Sequence, residues 1–307
     1  YRPSYIFKEG KMKSEKILLI IAVIFIIVGT GIFLYPSISN YFAEKNHVEA
    51  IRNYDKIVAG IEEDSIKEEK EKAQTYNENL SGDPVHDPFV LGSGYALPEN
   101  YKEVLNLSED GIMGYIQIPK ISVDLPIYHG TSEEVLEKGV GHIQNTSVPI
   151  GGSSTHSVLT GHTGLPNAEL FTRLDELVVG DVFYIHILNE RLAYKVYEIK
   201  VVLPDNIDEL RITSGEDLVT LVTCTPYGVN SHRLLVKAER VEDYIENNGN
   251  TTEASNNSNT INNVETKKNN KQYYLTGIQI GTVILIIVII TTLIVEIIIK
   301  RSKKSDE

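Results

Sequence analysis

The 307-residue chain has no tryptophan, only two methionines and a single cysteine. One cysteine excludes an intramolecular disulfide, and no Cys/His spacing has the pattern of a zinc site. Basic charge is also short. Lys and Arg number 29 against 42 Asp and Glu, for a formal charge of −13. A nucleic-acid binder would carry a basic patch or stripe, so the composition argues against that class. No cofactor or metal is expected, and no compelling calcium-site motif is present. The lone thiol, Cys224, is either a small buried hydrophobe or a reactive group.

Two long uncharged apolar runs are present. Ile17–Tyr35 has 19 residues, which at 1.5 Å per residue just crosses a hydrocarbon core of ~30 Å. It ends in Phe33-Leu34-Tyr35-Pro36, a poor cleavage site, so a retained anchor fits better than a cleaved signal peptide. Leu275–Val295 is the second run, with Tyr273 and Tyr274 at its start as interfacial aromatics. Lys and Arg cluster outside both runs: Arg2, Lys8, Lys11, Lys13 and Lys16 before the first, Lys300, Arg301, Lys303 and Lys304 after the second. By the positive-inside rule both termini are cytoplasmic and residues 37–274 face outward. That outer part holds 20 Lys and Arg against 37 Asp and Glu, a net −17.

The pattern predicts an order of segments. A cytoplasmic N-terminus (1–16) leads into a transmembrane helix (17–36). A helical juxtamembrane segment (37–80) follows, because Phe42, Val48, Ile51, Tyr54, Ile57, Val58 and Ile61 recur at helical spacing. Beyond Ile61 a solvated charged spacer is an equal reading. A connector (81–110) opens with turn chemistry at Ser81-Gly82-Asp83-Pro84 and Asp87-Pro88. The β-rich domain occupies 111–241, an Asn-rich linker 242–274, a second transmembrane helix 275–299 and a cytoplasmic tail 300–307. The linker is too poor in apolar residues to bury a core.

Within the β-rich domain, Tyr115–Ile118 and Ile121–Leu125 flank Pro119-Lys120 as a hairpin-like pair. Strands are also expected at 157–160, 182–187, 192–197, 218–223 and 234–241. Leu218–Thr223 is nearly all apolar, as a strand buried on both faces would be. Short helices are expected at Glu133–Lys138 and Ala168–Leu174. Many short strands with turns between them predict a closed barrel or a sandwich.

Three residues stand out chemically. Cys224 ends the apolar strand in Thr220-Leu221-Val222-Thr223-Cys224-Thr225-Pro226. A thiol needs a nearby base or positive charge to become a useful thiolate. Arg233 follows nine residues later, at the start of the next strand. If those strands are neighbours, the guanidinium lies at the same end of the sheet, where its fork of donors suits a developing oxyanion. His162, in Thr160-Gly161-His162-Thr163-Gly164, follows a short strand in a glycine-flanked loop. Histidine is the side chain best placed to trade protons near neutral pH. By spacing alone His142, His156 and His232 compete with it.

Together these segments resemble the sortase family. Its signature, TLxTC, is met at Thr220–Cys224, with a downstream arginine at Arg233 and an upstream histidine at His162. The resemblance spans about Gly111 to Arg240. The run Thr223–Val236 is similar to class C, the pilus-building sortases, as are Gly161-His162 through Leu165-Pro166 and Leu170-Phe171-Thr172. Class C usually has arginine after the histidine, where this chain has Thr163. Class C members also carry a lid with an Asp-Pro-aromatic motif, met here by Asp87-Pro88-Phe89, and often a C-terminal span.

The resemblance implies a mainly β fold, a closed eight-stranded antiparallel barrel with short helices, beside the N-terminal helical region and two transmembrane helices. It implies a Gram-positive setting and a two-step acyl transfer. The Cys224 thiolate would attack the Thr–Gly carbonyl of an LPXTG-like signal in a pilin or surface-protein substrate. His162 would exchange protons with the amines, Arg233 would steady the oxyanion or the substrate, and a pilin lysine would resolve the thioester. Three alternatives stand beside this. A sortase of another class would anchor surface proteins to cell-wall peptide. A hydrolase would let water resolve the thioester. A membrane-tethered binding module would keep Cys224 as a buried structural residue.

Overall fold

The computed structural model describes residues 5–80, 100–108, 110–206 and 208–242. The chain divides into two units, Tyr1–Phe42 with Glu253–Glu307 and Ala43–Thr252. One helix, α1 (Tyr5–Gly60), contributes to both. In the first unit its side chains from Ile20 to Tyr35 are nearly all apolar and mostly exposed, with Phe25 at 71% and Phe33 at 81%. A window of this helix has mean hydropathy 2.3 and is long and apolar enough to cross a membrane. Pro36, where the sequence suggests that the span ends, sits inside the same continuous helix. The second apolar run, 275–295, and the Asp87-Pro88-Phe89 tripeptide lie outside the described residues.

In the second unit the strands close into a barrel in the order β1-β2-β3-β4-β7-β8-β6-β5. The strands are β1 (Ile112–Ile118), β2 (Val123–His129), β3 (Val140–His142), β4 (Thr155–Thr160), β5 (Val182–Ile187), β6 (Glu190–Val202), β7 (Asp217–Thr225) and β8 (His232–Arg240). The barrel is not wholly antiparallel, which corrects the sequence expectation: β2 pairs with β3, and β4 with β7, in parallel. Parallel neighbours need a crossover rather than a tight turn. Helix α3 (Glu133–Lys138) supplies the first, and the β5–β6 hairpin intervenes in the second. All six residues of β4 are buried, as parallel strands covered on both faces should be.

The barrel interior holds Ile116, Ile118, Ile127, Leu159, Phe183, Ile185, Leu221 and Val236, all fully buried. A smaller cluster, Ile143, Val158, Leu210, Val222 and Leu235, covers the opposite face of neighbouring strands. Helix α2 (Glu63–Glu78) and the end of α1 pack on the barrel through Tyr54, Ala73 and Tyr76. The Tyr54 hydroxyl donates to the Met113 carbonyl and accepts from Leu188 N. The Asn77 amide grips Val148 through both its carbonyl and its N–H. The charged segment after Ile61 is thus a packed helix, not a spacer.

The expected helix at Ala168–Leu174 does not form. Leu170 takes a left-handed φ of 41°. The local bonds run from Thr172 N to Glu169 O and from Leu174 N to Phe171 O, one turn residue short of α-helical spacing. Only a 3-10 turn, Leu174–Glu176, follows.

Candidate active site

The site is built by strand register. Cys224 and Arg233 are Cα partners in the antiparallel β7–β8 ladder. Side chains alternate across a strand, so residues two apart share a face. Val222 and Leu235, each two residues inward from that pair, sit together in the small outer cluster. Cys224 and Arg233 therefore face the same way, at the edge of that cluster rather than in the barrel interior.

Strand β4 joins them on the other side of β7. Thr160 pairs with Val222, and Val158 belongs to the same outer cluster. The chain stays beside β7 past the end of β4. Gly161 N donates to Val222 O at 3.2 Å, and Gly161 O accepts from Thr223 Oγ1 at 2.7 Å. His162 comes next, so the alternation carries its side chain to the face of Val158, Thr160 and Cys224. Three neighbouring strand ends, β4, β7 and β8, thus bring His162, Cys224 and Arg233 to one rim.

The burial of these groups differs. Arg233 is 7% exposed. Its Nη1 donates to Asn230 O and His232 O, each at 3.2 Å. These bonds hold the guanidinium within the turn between β7 and β8. Cys224 and His162 are half-buried. Burial lowers the pKa of the His162 imidazole, because a charged ring loses hydration, and the carboxylates of Glu137 and Glu133 oppose it. The thiol of Cys224, on a strand end and only half-buried, is thus not a core residue, and its ladder partner is a buried arginine.

The competing histidines serve the fold. His142 Nε2 donates to Ser147 O at 2.9 Å, and its Nδ1 meets the Tyr101 hydroxyl. His156 Nδ1 donates to Arg211 O at 2.8 Å, while Nε2 accepts from Thr220 Oγ1 at 2.7 Å. Burial pushes His142 down to about 3 and His156 to about 4. His232 pairs with Thr225 in the ladder, the neighbour of Cys224, and so belongs to the other face.

Four further residues that sequence reasoning did not single out bear on the site. Thr223, inside the strand signature, ties β7 to the backbone that carries His162. Tyr227 covers Gly164 beyond that histidine. Glu133 and Glu137 of α3 act on the imidazole. In sequence Glu133 and Glu137 look like solvent-facing residues of a short helix, whereas Thr223 and Tyr227 lie inside segments already quoted for the resemblance, without a sign of these contacts. Among the described residues no group of His, Cys, Asp or Glu could hold a metal ion. A cavity of about 740 Å³ is lined by Asp217, Glu239 and Arg240 among others. It lies at the far end of β7 and includes none of the three residues at the rim.

The chain is similar to known proteins over the barrel. The Sortase domain family matches residues 116–241. Sortase A of Staphylococcus aureus (strain NCTC 8325 / PS 47) is 28% identical over 222 residues, 71% of this chain and 90% of that protein. Sortase C-1 of Actinomyces oris is 52% identical with a TM-score of 0.55, over 57% of this chain and 98% of that structure. The pilus-related sortase C of Group B Streptococcus is 43% identical with a TM-score of 0.58, over 62% of this chain and 96% of that structure.

Proposed function

Because this chain belongs to the sortase family of cysteine transpeptidases, with class C enzymes among its structural neighbours, we propose that it polymerises pilins at the cell surface. The Cys224 thiolate attacks the Thr–Gly carbonyl of an LPXTG-like sorting signal. The C–N bond breaks as His162 gives its proton to the departing glycine amine, leaving a thioester on Cys224. A lysine amine of a second pilin attacks the thioester and gives its proton to the now neutral His162, and the sulfur leaves as the Cys224 thiolate, which restores the starting pair. The product is an isopeptide bond. Arg233 balances the negative oxygen that develops in each step.

The observation that supports these roles most is the register itself. The Cys224–Arg233 pairing puts a fixed cation beside the thiol, on the face that the His162-bearing strand end shares. The apolar, exposed part of α1 supports a membrane anchor. With the terminal Lys and Arg clusters it supports both termini inside and the catalytic domain outside. The Asp87-Pro88-Phe89 motif supports the proposal of a lid over this site, as in the class C enzymes that the sequence resembles.

The sequence match to sortase A over most of that protein's length favours a second reading, transfer to cell-wall peptide rather than to pilin lysine. Incubating the membrane-embedded enzyme with an LPXTG-bearing pilin separates the two. Covalent ladders that vanish in Cys224→Ala support polymerisation. Transfer only to an added oligoglycine or cross-bridge peptide, without ladders, supports anchoring. Faster labelling of the thiol in Asp87→Ala or Phe89→Ala supports the lid, and unchanged labelling removes it.

A further inference from the structure

Tyr227 is 69% exposed, so burial gives little reason for its ring to hold one place. Yet the ring lies on the bare α-carbon of Gly164. Its Cε2, Cζ and Cδ2 atoms are 3.0, 3.2 and 3.4 Å from where a Cβ on that glycine would stand. The contact joins two loops, each of which has closing bonds of its own. Tyr227 lies three residues after Cys224, in a turn closed by Val229 N and Asn230 N on Pro226 O. The Arg233 guanidinium braces that turn at Asn230 O. Gly164 lies two residues after His162, in a loop fixed by Phe171 N on His162 O and by Gly164 N on Thr172 Oγ1 at 3.0 Å.

Gly164 has a φ of +77°, a conformation that side-chain-bearing residues rarely adopt. The missing Cβ is also what lets the ring approach so closely. Both properties are met at the one position where the aromatic lands. Below this contact the two loops are tied at strand level, through Gly161 and Thr223. Proton exchange between sulfur and imidazole depends on their separation, and an ångström of misplacement can cost about 100-fold in rate.

We propose that Tyr227 is a positioning residue, whose ring clasps the loop after Cys224 to the loop after His162 and so fixes the distance between thiol and imidazole. This rests on the catalytic roles proposed above, and its test is arranged to fail separately from them. Ring packing, not the hydroxyl, makes the clasp, so phenylalanine should substitute.

The only cysteine in the chain is the probe. Alkylation of Cys224 by iodoacetamide is timed in the full-length protein in detergent, for wild type, Tyr227→Ala, Tyr227→Phe, His162→Ala and the double variant Tyr227→Ala/His162→Ala. The clasp predicts that Tyr227→Ala changes the rate in the wild-type background and has no further effect once His162 is gone, while Tyr227→Phe matches wild type. Equal effects of Tyr227→Ala in both backgrounds, or none in either, overturn the proposal, as does a Phe variant as impaired as Ala. Transfer kinetics give the companion reading: kcat about tenfold to 100-fold lower in Tyr227→Ala with KM little changed. Absence of transfer by wild type would sink the proposed function, while the alkylation cycle would still decide the clasp.

Discussion

Cys224 and Arg233 face each other as partners across the β7–β8 ladder, nine residues apart in sequence and adjacent in space. The guanidinium is buried and held by two backbone carbonyls of its own turn. A cation fixed in this way needs no reorganisation as negative charge develops on a substrate oxygen nearby.

Arg233→Ala should therefore lower kcat by about 100- to 1000-fold, the range for loss of one preorganised oxyanion donor. Arg233→Lys keeps the charge but loses the planar fork and its two-carbonyl seat, so it should fall nearer to alanine than to wild type. Steady-state transfer kinetics check this. A lysine variant with full activity would reduce the role of Arg233 to charge alone.

The acidic face of α3 should set the pH response of His162. Gly141 pairs with Thr160 in the antiparallel β3–β4 ladder. Carried two residues further, that register sets His162 beside Gly139, the cap of α3. Burial lowers the imidazole pKa, and Glu137 and Glu133 hold it up. Glu134 is engaged with Lys138 at 2.6 Å. Replacing Glu133 and Glu137 by Gln removes the raising influence, so the His162 pKa falls further. If the imidazolium protonates the leaving amine, the alkaline limb of the acylation rate moves to lower pH. Single-turnover acylation across pH measures it. Glu134→Gln is the control, and superimposable profiles for all variants would contradict the coupling.

Buried neutral histidines should make the fold acid-sensitive. His156 has a folded value of about 4 against 6.5 for an unperturbed ring, mainly through burial. Below pH 6.5 the unfolded chain takes up the proton first, so stability falls as pH drops toward about 4 and then levels off. In His156→Gln this contribution to the slope disappears, even though the variant is less stable at pH 7 for want of its two bonds. Thermal melts at several pH values test this. Equal slopes between pH 6.5 and 4 would contradict it.

The parts of this fold that were legible in sequence are those with local causes. β5 (Val182–Ile187) and α3 (Glu133–Lys138) form over the residues read for them. A strand declares itself by its β-branched and aromatic run, and α3 by Ser132, whose side chain accepts from Val135 N. The Cys224–Arg233 pairing was readable because one short turn joins the two strands. Partner choice at long range was not. The parallel β2–β3 and β4–β7 ladders depend on which strand lies beside which after a crossover, and β3, at three residues, is too short to carry a period. Leu170 defeated the helix expected there by a backbone angle that its side chain does not advertise. The contribution of Glu133 and Glu137 to His162 likewise exists only once β3 has paired with β4 and carried α3 toward the end of that strand.

Intact-mass analysis of the enzyme, quenched in acid during turnover of an LPXTG-bearing substrate, tests the central claim most directly. A thioester adduct equal in mass to the substrate up to its threonine, located on Cys224, released by hydroxylamine and absent in Cys224→Ala, is the predicted result. Undiminished transfer by Cys224→Ala, with no adduct on the wild-type thiol, would contradict it.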